Sequence, residues 1–290
     1  GLHVEVVHAD DYVRMTDHAA PVVRSRRSSS IVVAAQLVKD GHASALVSAG
    51  HTGATMAATL LTWGRIPGIE RPALTTIFPT TKGFSLVADV GANVDCRPEY
   101  LAQFGFMGSV YAERVLGISR PRVGLLNIGE EATKGNQLVL RAHEILRTMP
   151  LVFVGNVEGK DLPLGVCDVV VCDGFVGNVA LKTAEGVAEF IFQLLREELG
   201  RSLRSRLGAV LLYPALRALK RRLDYEEYGG APLLGVNGVA VVGHGRSRAK
   251  AVKNAIRVAR DAVAADLIAT IRDGVTRLAV SPPSPEVRVE

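Results

Sequence analysis

The sequence predicts an α/β fold in which a largely parallel sheet is covered by helices on both faces, and three patterns carry that expectation. Short β-branched or apolar runs recur along the chain. Most are separated by segments of helical period, so each strand is fed through a crossover into a parallel neighbour. Most of the runs also stop in loops of glycine and small polar residues, where open α/β sheets bind ligands. No repeat at a fixed period is visible, so residues 1–280 are expected to form a single α/β domain and 281–290 a flexible tail.

The elements follow in order. Val4–Val7 alternates in the manner of a strand, and Ser30–Asp40 has helical period. Ala45–Ser48 is a buried-strand run ending in Ser48-Ala-Gly-His-Thr-Gly53, with a helix expected over Thr52–Trp63. Leu74–Phe78 and Leu86–Ala88 read as strands, the second running into Asp89-Val-Gly-Ala-Asn-Val-Asp95. A helix over Pro98–Leu116 precedes the strand Val123–Leu126, whose long loop Asn127–Asn136 opens a helix over Gln137–Thr148. Val152–Val154 ends at Gly155-Asn-Val-Glu158, and Val169–Cys172 ends at Asp173-Gly-Phe-Val-Gly-Asn178 before a helix over Val179–Leu199. Val239–Val242 ends at Gly243-His-Gly-Arg-Ser247 and leads to a helix over Ala249–Asp273. By the strand-end rule, all six loops are expected to line one crevice.

With 290 residues, 48% of them hydrophobic, the chain can bury a large core, which excludes disorder. The net charge of +5 is small and scattered, which argues against nucleic acid and suits an acidic partner. Cys96, Cys167 and Cys172 form no C-x-x-C pair, so buried thiols are expected rather than disulfides or a zinc site. No apolar run reaches about 18 residues and the start lacks a signal-peptide build, so a soluble cytoplasmic protein is expected.

Two loops have the make-up of anion sites. Ser48, Gly50, His51, Thr52 and Gly53 lead into a helix whose free N–H groups would suit phosphate, although Ser48 and Thr52 could equally serve only as caps. Asp173, Gly174 and Gly177 repeat the arrangement, with Asn178 placed either to donate to an oxyanion or to cap the helix. The loop after Val123–Leu126 can deliver the Lys134 ammonium into the crevice, or leave it as a solvated surface lysine. His51 and His244 are donors to phosphate or hydrogen-bonded structural residues. Asp89, Asp95 and Asp173 would repel phosphate unless paired, so they are expected to order loops. The P-loop, dinucleotide and G-x-S-x-G signatures are missing, which leaves ATPase, nucleotide-dependent and acyl-serine chemistry unsupported; no metal or cofactor is expected.

A basic amphipathic stretch over residues 200–228 pairs Leu203, Leu207, Val210, Leu211, Leu212, Leu216 and Leu219 with many arginines. Pro214 is expected to split it into two helices with Val210–Tyr213 near the tip. Such an arm could form a dimer, touch an anionic bilayer, or be an ordinary helical hairpin.

At these loops the sequence resembles the bacterial phosphate acyltransferase family of the PlsX type. The motifs that carry the resemblance, in family order, are Ser48–Ala54, Asp89–Asp95, Gly124–Gly129, Lys134–Asn136, Phe153–Glu158, Asp173–Asn178, Tyr228–Gly230 and His244–Gly245. The resemblance implies a three-layer αβα fold like that of isocitrate and isopropylmalate dehydrogenases and of phosphotransacetylase. It implies a homodimer attached peripherally to the membrane through the helical arm. It also implies transfer of a fatty acyl chain from acyl carrier protein to inorganic phosphate, with Lys134 and Asn178 catalytic. Asn93 joins the substrate-binding set within its Asp-Val-Gly-Ala-Asn-Val-Asp motif. Arg24, Arg26 and Arg27 either dock the acidic helix of the carrier protein or form a solvated basic turn. Two features depart from the family pattern: the opening strand followed by Asp-Ala-Met-Gly-Gly-Asp is expected to be absent, and His51 replaces the usual asparagine. The competing functions are a coenzyme A-dependent phosphotransacetylase, a metal- and nucleotide-dependent dehydrogenase on the same scaffold, and a non-catalytic membrane scaffold of lipid synthesis.

Overall fold

A computed structural model describes residues 3–223 and 225–280. The chain opens with helices α1 (Ala19–Ser25) and α2 (Ser30–Lys39), strand β1 (Ala45–Ser48) and α3 (Thr52–Trp63). The hairpin β2 (Ala73–Thr80) and β3 (Gly83–Ala88) follows, then α4 (Pro98–Arg114), β4 (Arg122–Asn127), α5 (Gln137–Thr148) and β5 (Val152–Glu158). A 3₁₀ segment (Gly159–Leu164) leads to β6 (Val169–Val171) and two long helices, α6 (Gly174–Gly200) and α7 (Leu203–Leu223). Short α8 (Tyr225–Tyr228), β7 (Ala231–Leu234), β8 (Val239–Val242), α9 (Ala249–Ala264) and α10 (Leu267–Val280) complete it.

The strands form one sheet in the order β1-β8-β7-β2-β3-β6-β4-β5. The β3-β6-β4-β5 half is parallel, and β6 is buried on both faces, as a central parallel strand must be. One face packs on α4, α5, α9 and α10 through Phe104, Met107, Leu146, Ala255 and Ile271. The other packs on α3 and α6 through Met56, Leu60, Trp63, Leu181 and Ala184. These faces give the expected three layers. A smaller cluster of Val23, Ala35, Leu46, Ala54 and Ala58 joins the first three helices to β1, and the Trp63 indole donates to the Ala35 carbonyl at 2.8 Å.

The structure corrects several expectations. Val4–Val7 forms no strand, and Val4 and Val6 are exposed, because alternation supplies a face but not a neighbouring strand to complete the ladder. β2 and β7 are both antiparallel to their neighbours, so β1 and β8, parallel to each other, run against β3, β6, β4 and β5. Pro214 does not break α7; the arm turns instead at Arg201 and Ser202, between α6 and α7. At Pro214 the helix forgoes one backbone hydrogen bond, and exposed Val210 leaves its carbonyl open to water. The helix expected over Ala249–Asp273 divides at Ala265 and Asp266, where Asp266 has a φ of 47°. The tail beginning at Ser281 lies outside the described residues.

Arg122 fixes the start of β4 to the entry of β6. Its backbone N donates to Asp168 Oδ2 at 2.8 Å, and its Nε and Nη2 donate to the same carboxylate at 3.0 and 3.1 Å. Burial raises the Asp168 carboxyl, but the guanidinium and backbone N–H outweigh it and hold the group below its ordinary value. A depressed carboxyl contributes stability at neutral pH that disappears as pH falls through its folded pKa. With Arg122 42% exposed, the contribution is screened to about 1 kcal/mol or less. Asp168→Asn is therefore expected to lower the melting temperature slightly near neutrality, a difference that shrinks and vanishes as pH falls through the depressed carboxyl pKa, read from melting curves across pH.

Candidate active site

The site begins with one buried carboxylate. Asp89 follows β3 and has no exposed surface. Its Oδ1 accepts from the backbone N of Leu74, Gly91 and Ala92 at 2.9, 3.2 and 3.1 Å. Its Oδ2 accepts from Asn93 N at 2.7 Å and Asn93 Nδ2 at 2.9 Å. Burial pushes the carboxyl above its usual range, and these N–H groups pull the other way. Asp89 thus orders the loop rather than facing a ligand. Asn93 does the same, because its amide hydrogens go to Asp89 and to the Pro72 carbonyl at 2.7 Å.

This loop seats the start of α6. Asp173 caps the helix by accepting from Val176 N at 2.9 Å, and Gly174 N donates to the Asn93 carbonyl at 2.7 Å. A Cβ on Gly177 would lie 2.0 Å from the Asp89 carbonyl oxygen, so only glycine permits this approach. Because the cap is Asp173, the helix starts at Gly174 and not at Val179. Asn178 therefore stands exposed in the second turn, over Gly91, and its carboxamide is not used as a cap.

Lys134 is carried by the loop after β4. Asn127 accepts from Ile128 N through Oδ1 at 2.8 Å and donates through Nδ2 to the Lys134 carbonyl at 2.9 Å. Lys134 N donates to the Glu131 carbonyl at 3.1 Å, and Asn156 Nδ2 donates to that carbonyl at 2.8 Å. Gly135 takes a φ of 106°, turning the chain into α5, which Asn136 caps by accepting from Val139 N at 3.0 Å. Lys134 itself is exposed. Since β3, β6 and β4 are adjacent and parallel, the loops of Asn93, Asn178 and Lys134 leave the same sheet edge. That edge gathers an ammonium, a carboxamide and a helix N-terminus, a combination suited to an anion.

The loops of Ser48–Gly53 and His244 close strands of the opposite sense. His51, not Ser48 or Thr52, caps α3: its Nδ1 accepts from Ala54 N at 3.3 Å, which leaves the proton of a neutral ring on Nε2. Ser48 Oγ accepts from Gly50 N and from Thr55 Oγ1. Gly243 N donates to the Ser48 carbonyl at 2.7 Å, and His244 Nδ1 accepts from Arg246 N at 3.1 Å, so the loops holding Ser48–Gly53 and His244 meet each other. They close β1 and β8, whose reversed sense takes them off the edge of Lys134 and Asn178; the six loops do not share one edge.

Asn127 and Asn156 were absent from the expected site. Their signal is the glycine-bearing segments Asn127–Asn136 and Gly155–Glu158, the second of which is part of β5 rather than the loop expected after Val154. Burial raises the thiols of Cys96 and Cys167 to about 12, which disfavours a nucleophilic thiolate. No cluster of metal-ligating side chains occurs among the described residues. On the arm, Val210, Leu211, Leu212 and Tyr213 are exposed, while Leu216 is half-buried in the groove between α6 and α7. No helix among the described residues is long and apolar enough to cross a membrane.

Comparison with solved structures places the fold with the phosphotransacetylases. The phosphotransacetylase of Streptococcus pyogenes superimposes with a TM-score of 0.53 at 18% identity, over 92% of this chain and 77% of that one. EutD phosphotransacetylase from Staphylococcus aureus gives 0.51 at 15% identity, over 90% and 77%. The class is thus an α/β protein with the phosphotransacetylase fold. In sequence, the family described as "Fatty acid synthesis protein" matches residues 2–270. The phosphate acyltransferase of Pelotomaculum thermopropionicum is 54% identical over 277 residues, 96% of this chain and 81% of that protein. That of Heliobacterium modesticaldum is 56% identical over 272 residues, 94% and 81%. The chain belongs to this phosphate acyltransferase family of fatty acid and phospholipid synthesis.

Close packing of α6 on the Asp89 loop has a direct consequence. Gly177→Ala would force backbone apart from backbone and is expected to cost about 3 kcal/mol or more in urea unfolding, at the upper end for overpacking.

Proposed function

We propose that this protein transfers a fatty acyl group from acyl carrier protein to inorganic phosphate, forming acyl phosphate. The observation that carries the reading is the shared sheet edge of Lys134, Asn178 and the α6 N-terminus in a member of the phosphate acyltransferase family. Phosphate is nucleophilic at neutral pH and needs placement more than activation. One of its oxygens attacks the thioester carbonyl, the carbonyl oxygen takes up negative charge, and the tetrahedral intermediate collapses with cleavage of the C–S bond. The carrier-protein thiolate leaves and takes a proton from solvent. Lys134 offsets repulsion as phosphate approaches, and the Asn178 carboxamide donates to the oxyanion, a role worth about 10²- to 10³-fold in rate. The positive end of the α6 dipole favours an anion there without a charged side chain, Gly174 N and Val176 N being already bonded to the Asn93 carbonyl and to Asp173.

Ser48–Gly53 and His244 enter as a second substrate-binding wall. Sheet twist supports this: at about 20–25° per strand, five steps from β6 to β1 rotate the strands by about 100–125°, so oppositely directed ends diverge by only about 55–80°. His51 Nε2–H and the loop amides are the donors such a wall offers.

Carrier-protein docking fits the groove between the first three helices, where Arg24, Arg27 and Lys39 rim an apolar floor of Val23, Val32, Leu37 and Leu61. An acidic amphipathic helix complements that surface. Arg26 is not part of it, because Asp11 and Asp17 hold its guanidinium at 3.6 and 3.4 Å. The exposed apolar residues of α7 suit a homodimer seam or an anionic bilayer surface, which would make the protein a peripheral membrane protein of the cytoplasm.

The test is incubation with acyl carrier protein thioester and labelled phosphate. Acyl phosphate is the expected product, and Lys134→Ala or Asn178→Ala should each reduce its rate by about 10²-fold or more while melting temperatures hold. Turnover only with acyl-coenzyme A would favour a phosphotransacetylase, and vesicle binding without turnover would favour a scaffold. Full activity in both variants would falsify the site assignment.

A further inference from the structure

We propose that Asn127 and Asn156 are positioning residues for Lys134, two carboxamides on neighbouring strands that pin the lysine loop from below. The inference rests on the catalytic reading of Lys134 above.

A loop of this length, with Glu130, Glu131, Ala132 and Thr133 all exposed, has little packing to hold it in one shape. What holds it comes from the sheet. β4 and β5 are parallel, with Leu125 opposite Asn156 and Asn127 opposite Glu158, so the two asparagines sit close together at the strand ends. Asn127 Nδ2 donates to the Lys134 carbonyl, and Asn156 Nδ2 donates to the Glu131 carbonyl, which also accepts from Lys134 N. The carbonyls that begin and end the lysine turn are thereby both fixed to the sheet. The Lys134 backbone, from which the side chain reaches out, cannot shift without breaking one of these bonds.

A second observation separates this role from simple structural support. Asn156 is 7% exposed, and its Oδ1 is buried with no hydrogen-bond partner among the described residues. A buried acceptor left unpaired lowers stability, so an apolar residue of the same size would suit the strand better. The donor to the Glu131 carbonyl is what the amide adds, and that donor acts on the lysine loop.

Asn156→Leu keeps the shape and removes both the donor and the orphaned oxygen. The expected result is a melting temperature equal to or above wild type with kcat reduced by about 10²-fold, because a misplacement of about 1 Å at a reacting group has that effect. KM for the acyl donor should stay within about twofold, since the donor's binding surface is untouched. Asn127→Asp, which keeps the acceptor for Ile128 N and loses the donor to Lys134, provides an independent variant and should lower kcat in the same direction. In a Lys134→Arg background, Asn156→Leu should add less than about threefold, because residues acting as one unit are not additive. Wild-type kcat in both asparagine variants overturns the proposal. So does a kcat loss that follows a fall in melting temperature, or one that multiplies in full on Lys134→Arg. If Lys134→Ala retains full turnover, the catalytic reading of Lys134 fails, whichever result the asparagine variants give.

Discussion

The arrangement of this protein depends on a single buried carboxylate. Asp89 has no solvent contact, and both of its oxygens are occupied by N–H donors from Leu74, Gly91, Ala92 and Asn93. Hydrogen bonds to a charged group are each worth about 1.5–3 kcal/mol, and the set recovers part of the cost of burial, which still holds the carboxyl above its usual range. One side chain thus fixes the start of β2, the end of β3 and the loop that follows. Because Gly174 and Gly177 of α6 rest on that loop, the same bonds set where the α6 N-terminus and Asn178 stand. An unpaired carboxylate would repel an anion; the lone pairs of Asp89 are instead turned inward to N–H donors.

Around that anchor the labour divides between strands. Parallel β3, β6 and β4 bring three loops to one edge, and each uses a short polar side chain to shape its backbone: Asp89, Asp173 and Asn127. The side chains of Lys134 and Asn178 make no part of that scaffolding and are exposed. The reversed strands β1 and β8 carry a separate pair of loops joined by the Gly243 to Ser48 hydrogen bond. A strongly twisted sheet lets such opposed ends face a shared cleft, which a flat one would prevent.

Much of this was legible in the sequence, and the limits have physical causes. The helical period of Thr52–Trp63 and Gln137–Thr148 gives their observed bounds, although the residues that cap them, His51 and Asn136, are not marked as caps by it. Strand Val239–Val242 was equally plain, being apolar on both faces. Strand β7 was missed because its four residues, Ala231–Leu234, include a proline and show no alternation. The sense of a strand leaves no mark on an apolar run, so the opposed direction of β1 and β8 could not be read. Asn178 followed Gly177 at what looked like a helix start, but the cap lies at Asp173, hidden by two glycines that disfavour helix in isolation and are required by close packing here. The loop of Lys134 was visible, whereas its dependence on Asn156 is a contact across 25 residues that only the fold creates.

Hydrogen exchange on Asp89→Asn compared with wild type tests the anchor most directly. If Asp89 organises the site, protection falls at the amides of Leu74, Ala92 and Asn93 and at Gly174, while β4 and β5 keep theirs. Unchanged protection at all four amides in a folded Asp89→Asn protein would show that the loop and the α6 N-terminus are held by something else.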